Sequence, residues 1–163
     1  MLKVKKLFTR DTKEETVISE WYTPNLADIL MCEIHNEMFG VSLRLCYGTY
    51  EEFKKLLKEA HNYDTGHESC KAMYCWIERN GETFKYLLIQ KMDWTANDYG
   101  TIVHELHHFT HLFMKEIGVD YGEGGEEVFA YFQGYYMELV VRAFMGLTKQ
   151  KNKNTEKKPK VRK

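Results

Sequence analysis

The five residues His104-Glu105-Leu106-His107-His108 constrain this chain more than any other stretch. They lie inside a proline-free run, residues 96–117, with Thr95 placed to cap its start and Gly118 to stop it. That pattern predicts one long helix. Positions i and i+4 of a helix sit one turn apart on the same face, so His104 and His108 can aim two imidazoles at one point. Glu105 is turned about 100° from His104, so it flanks that point rather than meeting it. A glycine-rich loop (Gly122, Gly124, Gly125) follows, and then a second helix predicted over about 126–144, with Gly146 beyond it. A tight loop between two long helices brings the start of the second back towards the first.

Upstream, residues 2–8 and 16–22 read as short strands. Thr23 and Pro24 read as the N-cap and first residue of a helix carrying Leu26, Ile29, Leu30, Ile34 and Met38 at helical spacing, with Gly40 as its stop. Val41–Tyr47 alternates apolar and polar residues as a half-buried strand does. Thr49 and Glu52 form a capping box opening a helix whose apolar face is Phe53, Leu56, Leu57 and Ala60. Residues 61–69 are polar and read as a loop. Two β-rich runs, 70–78 and 82–91, flank Asn80-Gly81, a strong hairpin signal because both positions tolerate positive φ. The expected fold class is α+β: a small mixed sheet with a β-hairpin, then the His-Glu helix and a returning helix.

The 163 residues fit one domain, and 44% apolar content suffices for a core. Net charge is −1, but residues 149–163 hold eight basic side chains against Glu156, a local charge of +7. We therefore expect a domain over 1–148 and a basic, disordered tail over 149–163, since so few apolar groups cannot offset the entropy of ordering. Such a tail solubilises, and it can also touch nucleic acid or an acidic surface. The start of the chain is interrupted by Lys and Arg too often for a secretory signal, and nothing reaches the ~20 apolar residues of a membrane span. Cys32, Cys46, Cys70 and Cys75 form no C-x-x-C pair, and reduced thiols in a cytoplasmic protein are the simplest account. His61 and His67 with Cys70 and Cys75 match no metal-binding spacing. Trp21, Trp76 and Trp94 are read as core or rim.

His-Glu-x-x-His on a helix is the pattern by which two histidines hold Zn2+ while the glutamate takes a proton from the water that the ion activates. A chance match in a chain this rich in His and Glu is on the order of a few in a hundred. A catalytic zinc needs a third protein ligand and an open position. Glu127 is the best candidate, separated from His108 by eighteen residues and lying in the first turn of the next helix, although Glu126 stands beside it and both favour a helix N-terminus. By helical angle His107 and His111 share an arc of about 100° with His104 and His108, and each could orient a ligand, bind substrate or be an ordinary core or rim histidine. A three-histidine site using His111 would need a break after His108, and no Gly or Pro provides one. Tyr131 and Tyr135, one and two turns beyond Glu127, are candidate oxyanion donors or ligand supports, with core packing as the ordinary alternative. Gly134 could allow close approach of the metal helix.

HExxH, eighteen residues and then Glu127-Val-Phe-Ala-Tyr resembles the gluzincin branch of zinc metallopeptidases. TIVHELHHFTH and GEEVFAYFQGYYMEL further resemble small zincin-like proteins of phages and prophages, which are described as metallopeptidases of uncertain role. The resemblance covers residues 101–139. It implies His104, His108 and Glu127 as zinc ligands and Glu105 as general base, acting on a peptide or protein substrate, in the host cytoplasm if phage-encoded. It also implies a strand, expected at 82–91, that pairs with an extended substrate at the sheet edge. A Gly-x-Met-Glu-Asn exopeptidase motif is missing, so an endopeptidase is the expectation. The alternative is an inactive zinc-binding module that engages a host protein or nucleic acid through the sheet edge or basic tail.

Overall fold

The computed structural model describes residues 16–156 except 38, 67, 68 and 123. The strands expected over 2–8 lie outside them. The elements run β1 (Thr16–Ile18), β2 (Leu30–Asn36), β3 (Val41–Tyr47), α1 (Tyr50–His61), β4 (Ala72–Arg79), β5 (Glu82–Ile89), α2 (Ala96–Glu116) and α3 (Gly125–Glu156). The fold is α+β, with one five-stranded mixed sheet in the order β1-β2-β3-β5-β4. Neighbours are antiparallel except β3 and β5, which run parallel through a crossover containing α1 and β4.

The sheet is covered on both faces. Phe53, Leu56 and Leu57 of α1 pack on one side with Met31, Cys46 and Leu88. On the other, Ile102, Leu106 and Phe109 of α2 and Phe132, Tyr136 and Leu139 of α3 pack on Ile34, Leu45 and Leu87. Between the two helices run ring contacts Phe113–Phe132 at 4.8 Å and Phe109–Tyr136 at 4.7 Å. Truncating a fully buried ring such as Phe109 to Ala would cost roughly 3–5 kcal/mol.

Pairing with β1 and β3 overturns the helix expected from Thr23 to Met38. Leu30–Asn36 is a strand, with Cys32 and Ile34 facing α2 and α3 while Met31 faces α1. Residues 32–36 do alternate, with Cys32, Ile34 and Asn36 buried and Glu33 and His35 half-buried, but the run is short and Leu30 and Ile34 also fall at i and i+4, so helical spacing is matched by chance. Gly40, φ +61°, turns the β2–β3 hairpin instead of ending a helix. Strand β1 is shorter than expected, though Tyr22 still bridges Met31.

Two other local signals hold, and one does not. The Thr49–Glu52 capping box opens α1. Asn80 (φ 55°) and Gly81 (φ 76°) make the β4–β5 turn. Helix α3 does not stop at Gly146; it continues to Glu156, so the boundary expected at 148/149 falls inside a helix. Residues 157–163 of the expected tail lie outside the described residues. No helix among the described residues is long and apolar enough to cross a membrane. All four cysteines are free thiols.

Candidate metal centre

Helix α2 carries the motif; a capping box sets its start, and two contacts fix it against the β4–β5 side of the sheet. At its start Thr95 caps Asp98: the buried Asp98 carboxylate accepts from Thr95 N–H at 3.0 Å and from its hydroxyl at 2.9 Å. The Thr95 backbone N–H holds the Asp98 carboxyl below the usual range, aided by the hydroxyl and by Lys71. At its end the buried Lys85 of β5 pairs with Glu116 at 3.0 Å, which offsets an acid otherwise unfavourable at a helix C-terminus. In the middle, the Glu105 carboxylate accepts from the backbone N–H of Tyr74 on β4 at 2.7 Å.

With Ile102, Leu106, Phe109 and Phe113 turned into the core, helical geometry leaves His104, His107, His108 and His111 on the exposed face. The structure brings His104 and His108 together: their Nε2 atoms lie 3.2 Å apart and their rings meet at 88°. Two nitrogens bound at 2.0–2.1 Å on a tetrahedral zinc stand about 3.3–3.4 Å apart, so the pair has the bite of two ligands of one ion. The donor chemistry fits as well, because neutral imidazole suits zinc.

Glu127 and Glu126 are both exposed in the first turn of α3. Among the described residues no three His, Cys, Asp or Glu side chains gather closely enough to hold a metal, so neither glutamate joins the histidine pair here. What places this turn is Gly125. A Cβ built there would stand 2.1 Å from the carbonyl oxygen of Asp120, an approach open only to glycine.

The two tyrosines singled out from sequence lie elsewhere. Tyr131 is 77% exposed, and no hydrogen bond or ring contact joins it to His104, Glu105 or His108. Tyr135 bonds Thr16 of β1 through its hydroxyl at 2.5 Å. Strand β1 lies four places across the sheet from β4, roughly 19 Å at ~4.8 Å per strand, so that hydroxyl is far from Glu105. Gly134 faces open space and permits no close approach.

Sequence spacing did not reveal Gln133. Its Nε2 donates to the Val103 carbonyl at 2.9 Å, and its Oε1 stands 3.5 Å from His107 Nδ1, tying α3 to the exposed side of α2. The edge strand also differs from expectation. β5, within the 82–91 run, lies between β3 and β4, and the open edge next to Glu105 is β4. His61 bonds the Tyr86 hydroxyl at 2.7 Å rather than joining the cysteines, and His67 lies outside the described residues. Comparison with protein-family models, curated proteins and solved structures finds no match to this chain.

Proposed function

We propose that this chain is a gluzincin-like, zinc-dependent peptidase that cleaves within peptide chains. The observation that supports the reading is the 3.2 Å separation of His104 Nε2 and His108 Nε2, beside a carboxylate held at the sheet edge. His104 and His108 would hold the zinc, and Glu127 is the proposed third donor on the strength of its spacing. When bound, zinc supplies Lewis-acid activation of water and of the scissile carbonyl. Glu105 accepts the proton of the attacking water and returns it to the leaving amine.

Strand β4 would hold the substrate backbone. Gln90 N–H donates to the Lys71 carbonyl at 3.0 Å, and the antiparallel ladder alternates from there. Ala72, Tyr74, Trp76 and Glu78 therefore turn their amides away from β5, and Glu105 already takes that of Tyr74. An extended chain added beyond this point uses the amides of Trp76 and Glu78, two and four residues along the strand from the Tyr74 amide that Glu105 holds.

The test is metal content of the purified chain, then hydrolysis of a peptide library by wild type and Glu105→Gln. Folded protein that takes up no zinc overturns the reading. The open β4 edge also favours a binding module without catalysis. That reading wins if zinc binds, Glu105→Gln leaves biological activity intact and loss of the β4 edge abolishes it.

A further inference from the structure

Helix α2 carries a second pair of histidines at the same spacing as the first, and the peptidase reading makes no use of it. His107 and His111 are both exposed, one turn apart. Their rings lie nearly parallel, 29° between planes and 6.4 Å between centroids. Gln133 reaches His107 from α3. Its Nε2 must be the group facing the Val103 carbonyl, because that partner can only accept. The amide orientation then turns Oε1 to His107 Nδ1, 3.5 Å away, where it favours the tautomer with hydrogen on Nδ1. The Nε2 lone pair of His107 is left for a ligand. An acceptor fixing one ring nitrogen while the other binds is how proteins orient histidine towards metals.

We propose that His107 and His111 form a second, bidentate site for a first-row divalent cation such as zinc, nickel or copper, completed by water. The two residues stand at the i, i+4 spacing at which histidines of one helix share an ion. Gln133 is a positioning residue for this site. The ring of His107 lies 6.5 Å from that of His108, so the second ion sits on the same helix face as the first pair.

The experiment is equilibrium dialysis of the full chain against Zn2+, followed by metal analysis. Wild type, His104→Gln/His108→Gln, His107→Gln/His111→Gln and the fourfold variant are compared, with circular dichroism to verify folding. Above the fourfold background, wild type should bind two ions and each double variant one. Gln133→Leu should weaken binding in the His104→Gln/His108→Gln chain. The inference is overturned if His107→Gln/His111→Gln binds as much zinc as wild type. It is equally overturned if His104→Gln/His108→Gln binds none above background. Should the first pair alone fail, His104→Gln/His108→Gln matches wild type while His107→Gln/His111→Gln falls to background, and the second site stands without the peptidase reading.

Discussion

The carboxylate of Glu105, on the metal-motif helix, accepts a hydrogen bond from the backbone amide of Tyr74 on the edge strand, 2.7 Å away. One side chain thus joins the proposed proton acceptor to the surface proposed to hold substrate. Glu105→Gln keeps an oxygen for the Tyr74 amide but removes the basic carboxylate. It should lower peptide hydrolysis by ~10²–10⁴-fold at unchanged melting temperature. Glu105→Ala should in addition release the Tyr74 amide. Amide hydrogen exchange should show Tyr74 protected in wild type and Glu105→Gln but fast in Glu105→Ala. Equal protection in all three would dissociate the strand from the base.

Gly125→Ala is expected to destabilise the chain by about 1–3 kcal/mol, since backbone and not a pliable side chain meets the new Cβ. Thermal unfolding measures this. The shift also displaces the first turn of α3, so zinc affinity should fall if Glu127 is a ligand and hold if it is not.

The imidazole of His61 is held below its ordinary value of 6.5 by burial, with the Arg44 and Arg79 guanidiniums adding to the effect. The unfolded chain therefore binds this proton more readily than the folded one. Stability should be full above pH 6.5 and decline as pH falls from there towards the lower folded value, then level off. Chemical denaturation at a series of pH values should show that slope in wild type. His61→Phe should flatten it, although it also forfeits the bond to Tyr86.

Burial pushes the Cys70 thiol up to about 11 and the Cys75 thiol to about 12, with Glu105 contributing to each. Cys32 and Cys46 are raised still further by desolvation. Native protein at neutral pH should therefore react slowly with iodoacetamide, and all four thiols should titrate at once in denaturant. Alkylation followed by mass analysis decides it, and a fast native thiol would contradict the burial.

What could be read from the chain was whatever is encoded over a few residues. Thr49 with Glu52, Asn80 with Gly81 and His104 with His108 each act within one turn, and each stands where its spacing put it. Other features depend on residues far apart in the chain. Leu30–Asn36 alternates only over its last five residues, and its pairing with β1 and β3, which makes it a strand, is not recorded in its own spacing. Tyr135 looked like a neighbour of Glu127 on a helix face, yet its hydroxyl answers to Thr16, 119 residues away. The swap of edge strand from β5 to β4 is a matter of sheet order, which no local pattern records. Gln133 bonds across two helices, and its role needed their docking to appear.

The place of β5 between β3 and β4 has a consequence for how the chain reaches this state. The β4–β5 hairpin closes locally, on the order of microseconds. The β3–β5 seam instead joins segments some forty residues apart, Arg44 to Tyr86 at its start, and must wait for α1 to fold over as a crossover. During synthesis, β1–β3 emerge first with the margin of β3 bare, a template for pairing with a neighbouring nascent chain. Closing that seam is thus the step at which folding competes with aggregation, and only afterwards do α2 and α3 have a complete floor on which to settle.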